Sequence, residues 1–258
     1  MTYCLAIKVD DGLVLASDSR THAGLDDISV YSKMHVFNAP GERLFVVLSA
    51  GNLATTQAVI NLLQRDMADL HAKPSLRTVD YLSDAADYVG RLSCQVQKSH
   101  GDKTPHQGLN LGATFIVAGQ IKGQAHDMYL VYPEGNCIAA SPGKPYLQLG
   151  ETKYGKPILD RIITPQTSLA DAARCALVSL DSTMRSNLSV GPPLELAIYA
   201  QREFALQQQL TLQADAPFIA ALQQQWGEGL SRVFASLPRF PWETPDGRTG
   251  AGRDQPGT

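Results

Sequence analysis

Four residues in the first fifth of the chain carry groups that together could break an amide bond. Residue 2 is a threonine, and a side chain this small permits removal of the initiator methionine, leaving a hydroxyl and a free α-amine on one residue. Such an amine titrates near pH 8, against about 10.4 for lysine, so at neutral pH roughly a tenth of it is free base, able to take the proton of its own hydroxyl. Asp18, Lys33 and Gly51 complete the set. They offer a carboxylate to orient the amine, a cation to hold the hydroxyl's pKa down, and an amide without a side chain to donate to the oxyanion that forms when the hydroxyl adds to a carbonyl. Singly, each has a plain explanation: many proteins have a small second residue for methionine processing, and a lone Asp or Lys is usually a solvated surface charge.

Their weight comes from the elements that must position them. Tyr3, Leu5, Ile7 and Val9 alternate with Cys4, Ala6 and Lys8, the period-2 pattern of a strand with one face on a core. Asp11-Gly12 signals a hairpin whose returning strand, from Leu13 to Ser17, delivers Asp18 back beside the chain start. Arg43 to Ser49 is a nearly continuous apolar run suited to a strand buried on both faces, ending in the turn Ala50-Gly51-Asn52. Two helical stripes follow, one through Leu53, Gln57, Ile60, Leu63 and Met67, the other after Pro74-Ser75 through Val79, Leu82, Ala86, Val89 and Val96. Strands are expected at Leu111 to Val117, Met128 to Tyr132, Cys137 to Ala140 and Tyr146 to Leu149. Helices then run from about Lys153 to Ile163 and from Leu169 to Arg185 with Ser168 as N-cap, before a strand at Leu194 to Tyr199. Grouped strands disfavour a doubly wound parallel sheet and predict an α+β fold, a four-layer αββα sandwich of two antiparallel sheets flanked by helices. The domain covers about residues 2–200. A Gln-rich helical appendage follows over 201–237, and the Pro-, Gly- and charge-rich stretch over 238–258 reads as a disordered tail.

Composition narrows the function classes. Of 258 residues 44% are hydrophobic, enough for a core, and 22 Lys and Arg against 25 Asp and Glu give a net charge of -3, without the basic excess that nucleic-acid binding requires. Cys4, Cys94, Cys137 and Cys175 form no CxxC pair, and the six histidines show no metal-ligand spacing, so neither a disulfide framework nor a metal site is expected and a reducing cytoplasm fits best. The first residues alternate and reach charge too soon for a secretory signal, and no stretch approaches a membrane span. Cys4 on an alternating strand reads as a small packed side chain, and His35 and His126, in or beside strand patterns, as satisfied or exposed histidines.

The constellation of Thr2, Asp18-Ser19-Arg20 followed by Gly24, Lys33, and Ser49-Ala50-Gly51 ahead of a helix resembles the proteasome β-subunit branch of the N-terminal nucleophile hydrolases, over about residues 2–200. Within it, Tyr154-Gly155-Lys156-Pro157-Ile158-Leu159-Asp160 and Ser186-Asn187-Leu188-Ser189-Val190-Gly191 resemble the bacterial Anbu, or ancestral β-subunit, group. The resemblance implies that Thr2 is nucleophile and, through its amine, base. Asp18 and Lys33 would set its protonation, Gly51 would be the oxyanion donor, Ser189 would support the site, and Thr21 and His22 would hold the substrate backbone. It further implies a threonine peptidase without cofactor, acting on peptide or unfolded protein and assembled as a ring or helical homo-oligomer. No residue pattern speaks to an ATPase partner. An amidase of the same mechanism for small amides, and a non-catalytic peptide-binding scaffold, are the alternatives. The sequence departs from the family's pattern in three places. The interval from Asp18 to Lys33 is one residue shorter, the Gly-Ser-Gly stretch reads Gly150-Glu151-Thr152, and the Asp-x-x-Ser-Gly element is replaced around Ser186 to Ser189.

Overall fold

The computed structural model describes residues 1–22, 28–103 and 110–243. Two five-stranded antiparallel sheets form its centre. The first contains β1 (Tyr3–Val9), β2 (Gly12–Asp18), β10 (Tyr146–Gly150), β11 (Leu194–Ala200) and β12 (Gln208–Leu212), in the order β10-β1-β2-β11-β12. The second runs in order through β5 (Met34–Ala39), β6 (Arg43–Gly51), β7 (Ala113–Ile121), β8 (Asp127–Val131) and β9 (Cys137–Ala139). A short pair, β3 (Arg20–His22) and β4 (Ile28–Val30), stands apart from both sheets.

Three apolar clusters define four layers. Helices α1 (Leu53–Ala68) and α2 (Leu82–Lys103) cover one face of the second sheet. Helices α3 (Lys156–Ile162) and α4 (Leu169–Ser186) cover the outer face of the first. Between the sheets lie Cys4, Ala6, Leu13 and Leu15 against Leu44, Leu48, Ile116 and Met128. This is the αββα sandwich, and it refines the reading of β1: both of its faces are buried. Bulky Tyr3, Leu5 and Ile7 point to the helices, while small Cys4 and Ala6 point to the other sheet, where residue volume sets the spacing.

Other expectations shift for local reasons. The hairpin pairs Val9 with Gly12, so its loop is Asp10-Asp11 and Gly12 already belongs to β2. The helix expected from Pro74-Ser75 starts only at Leu82. Ser75 closes a turn with Thr78 first, and the Asp84 carboxylate then accepts the Tyr81 amide at 3.2 Å, as a helix-start partner does. Ser168 caps α4 as expected, accepting from the Asp171 amide at 3.1 Å. Strand β5 was hidden in the sequence because its period is broken by His35 and Asn38.

Past residue 200 the chain does more than form a helix. β12 pairs with β11 and widens the first sheet, and α5 (Pro217–Ala235) anchors on α4 through buried Ile219. Leu230, Val233, Phe234, Phe240 and Trp242 lie exposed beyond that anchor. The tail expected over 238–258 falls, from residue 244 on, outside the described residues. Among the described residues no helix is long and apolar enough to cross a membrane.

One close backbone contact ties α2 to the turn between β8 and β9. A Cβ at Gly90 would sit 2.1 Å from the carbonyl oxygen of Gly135. Gly90→Ala is therefore expected to push the helix off this turn and lower unfolding free energy by about 1–3 kcal/mol, read by urea denaturation.

Candidate active site

The residues singled out at the start of the chain converge on one place where the two sheets meet. β2 ends at Asp18, whose side chain is fully buried. The segment leading into β5 brings Lys33 from the other sheet, and its ammonium donates to Asp18 Oδ1 at 2.8 Å, with side-chain exposures of only 8% and 0%. Further hydrogen bonds support the pair. Asp18 accepts the Tyr3 amide at 2.9 Å and the Gly191 amide at 3.3 Å, and Lys33 Nζ also donates to the Arg20 carbonyl at 2.7 Å. Burial pushes the Asp18 carboxyl above its ordinary range, while Lys33 and the two amides pull it down.

Thr2 stands immediately before this network. Its carbonyl accepts the Glu151 amide at 2.8 Å, extending the β1–β10 ladder to the chain start. Thr2, Thr21, Lys33 and Gly51 all line one cavity of about 260 Å³. Gly51 closes β6 with φ +109°, and a Cβ there would lie 2.5 Å from the Gly112 carbonyl oxygen, so the backbone itself demands glycine. Helix α1 begins directly beyond it, capped by Asn52, which accepts from the Thr55 amide at 3.1 Å. The positive end of that helix faces the same opening.

Two expected site residues, Ser189 and His22, fare differently, while Cys4 is packed as its strand pattern predicts. Ser189 does not line the cavity. It sits on the loop after α4 with its amide on Asn187 Oδ1 at 2.9 Å, and that loop reaches the site through Gly191 on Asp18. His22 lies on β3, and its side chain falls outside what is described. Cys4 is buried between the sheets with its thiol toward the Ser49 carbonyl, and desolvation raises its pKa far out of the reactive range.

His126 is a satisfied histidine, its Nε2 2.8 Å from the Val9 carbonyl oxygen. His35 instead lines the cavity, where burial lowers its pKa against the pull of Glu195.

Two further carboxylates belong to the site. Glu195, on β11, accepts the Lys33 amide at 3.2 Å and the Ser17 and Ser32 hydroxyls at 3.0 and 2.7 Å, fixing the backbone from which the lysine departs. A charged residue inside the apolar run Leu194 to Tyr199 was the available signal. Glu151, beside the Thr2 carbonyl, is buried and accepts from Asn187 Nδ2 at 3.1 Å. The glutamate that stands where the family's pattern has a serine is thus held by the loop after α4, in which Ser186 takes the place of the family's aspartate.

Comparison with known proteins agrees with this geometry. A family model described as proteasome subunit matches residues 2–199. Anbu (ancestral β-subunit) from Yersinia bercovieri is 44% identical with a TM-score of 0.87, the match covering 92% of this chain and 98% of that one. The Anbu complex from Pseudomonas aeruginosa, solved as a helical assembly, is 46% identical with a TM-score of 0.87 over 93% of this chain and 98% of that one. A Gly-1 mutant of Anbu from Hyphomicrobium sp. strain MC1 is 40% identical with a TM-score of 0.86, over 93% and 99%. Among curated proteins no match was found. The chain belongs to the proteasome subunit family, and within it to the Anbu group.

The burial of the ion pair has a measurable consequence. Lys33→Ala leaves Asp18 without its cation, which is expected to cost about 3–5 kcal/mol of stability at neutral pH. A carboxyl with a raised folded-state pKa favours the fold in its protonated form, so its contribution is present at low pH and lost as pH rises through that pKa. The gap between variant and parent should therefore narrow as pH falls into the carboxylate range, as urea unfolding at several pH values would read.

Proposed function

We propose that this chain is a threonine peptidase whose nucleophile is Thr2 after removal of Met1. The observation that carries the reading is the buried Lys33–Asp18 pair, with Asp18 bonded to the amide of the residue after Thr2, and Thr2, Lys33 and Gly51 lining one cavity. In this reading the α-amine takes the proton of the Thr2 hydroxyl, and the oxygen adds to a peptide carbonyl. The Gly51 amide, at the start of α1, receives the negative charge that develops on the carbonyl oxygen. Collapse expels the amine half of the substrate with that proton and leaves an ester on Thr2. Water activated by the same α-amine then hydrolyses the ester and restores the hydroxyl.

Lys33 acts as a fixed positive charge near the hydroxyl, since its ammonium is held by Asp18 and the Arg20 carbonyl. Thr21 lines the cavity and is assigned to the substrate backbone, together with His22. Ser189 is assigned a supporting part through the loop that carries Gly191.

The substrate class is peptide or unfolded protein, and the working form is a homo-oligomer. A helical assembly of the Pseudomonas aeruginosa protein supports the second point, as do the apolar residues exposed on and beyond α5. The domain assignment of 2–200, with an extension over 201–237, is proposed on the same footing.

Intact mass of the purified chain is expected to lack Met1, and incubation with a peptide epoxyketone should add one probe mass at Thr2. Thr2→Ala should abolish the adduct while leaving the assembly size unchanged, and Lys33→Ala should slow it by roughly a hundredfold or more. Unchanged labelling of Thr2→Ala would overturn the assignment.

A further inference from the structure

The cavity beside Thr2 has one wall whose exposed polar side chains neither the core nor the nucleophile requires. Helix α1 presents Leu53, Thr56, Gln57, Ile60, Asn61 and Gln64 to it, the spacing of one helical face. The core-facing stripe of the helix runs through Val59, Ile60, Leu63 and Met67, and of these Ile60 alone also borders the cavity, so Gln57 does not belong to the apolar face where the sequence pattern put it. Gln57, Asn61 and Gln64 are exposed, and none of their carboxamides makes a hydrogen bond to another described residue. Opposite them stand Tyr31 and His35, and the imidazole, its pKa lowered by burial, is neutral at neutral pH. Among the described residues no aspartate or glutamate lines the cavity, and the one lysine that does is already paired.

This lining discriminates by what it leaves unmatched. An apolar side chain entering the cavity strips water from the carboxamides and returns no hydrogen bond. A charged side chain is desolvated without finding a counter-ion. A side-chain carboxamide brings one acceptor and two donors, which match the donors and acceptors of Gln57 and Asn61. Because the cavity opens at Thr2 and Gly51, it receives the side chain of the residue whose carbonyl is attacked.

We propose that this cavity selects glutamine or asparagine on the acyl side of the cleaved bond, with Gln57 and Asn61 as the specificity-determining residues. The proposal rests on the reading of Thr2 as nucleophile.

The test uses the full-length chain and four tripeptide epoxyketones that differ only in the residue next to the reactive group: Gln, Leu, Glu or Lys. Rates of adduct formation on Thr2 are followed by intact mass. The Gln probe should react about tenfold or more faster than the other three. In Gln57→Leu/Asn61→Leu the Leu probe should overtake the Gln probe. In Gln57→Glu the Lys probe should gain by a similar factor, which provides a second readout if the apolar pair perturbs folding. Thr2 adducts that form as fast with Leu, Glu or Lys as with Gln would overturn this selectivity and leave the nucleophile assignment standing. No adduct with any probe, from a chain shown to lack Met1, would overturn both.

Discussion

A carboxylate and an ammonium withdrawn from water are stable together only when added hydrogen bonds offset the loss of solvent, and Asp18 and Lys33 meet under that constraint. Desolvating both ions works against folding, and the Tyr3 and Gly191 amides and the Arg20 carbonyl supply bonds that offset it. Those partners come from β1, from the loop before β11 and from β3, while the lysine itself comes from the edge of the other sheet. The pair therefore exists only when both sheets and the loop after α4 are in place. Glu195 and Ser49 hold the lysine's backbone on its two sides, which makes the fold around it a mould for one ammonium position.

The region around the chain start differs in character from the ion pair beneath it. Tyr3 is locked by its hydroxyl to Ser179 at 2.7 Å and to Gln148 at 2.6 Å, and burial raises that phenol to about 12. The residue after Thr2 is thus a rigid part of the core, and Thr2 inherits its direction from it. Beside the Thr2 carbonyl, buried Glu151 accepts from Asn187 Nδ2 and stands 3.5 Å from the Lys153 ammonium, so its charge is met from two chain segments.

Much of this was readable in the residues because local pattern and tertiary role coincide. The bulky-small alternation of residues 3–9 gave a strand, the hairpin gave Asp18 its place, and the apolar run Arg43 to Ser49 gave the buried strand that ends in Gly51. What stayed hidden depends on contacts across the fold. Lys33 and Asp18 lie on different sheets, and no spacing predicts that they touch. β5 has too irregular a period to stand out, and Gln57 fits an apolar stripe by position although its carboxamide points into the cavity. Glu151 was visible only as the loss of a serine, since a sequence does not reveal which partner a substituted residue acquires. β12 was missed because the Gln-rich stretch reads as a helical appendage until the edge of β11 supplies the backbone groups with which Gln208 to Leu212 pair.

Those glutamines give the first sheet a hydrophilic hem. Without it, β11 would present an unpaired row of amides and carbonyls along a strand of alternating Leu, Ala, Ile and Tyr, the kind of open border on which strands of other molecules stack. β12, with four of its five residues exposed, is the last strand of that sheet among the described residues. The segment beyond the shared family domain thus moves the border of the first sheet from a largely apolar strand to one that begins with two glutamines.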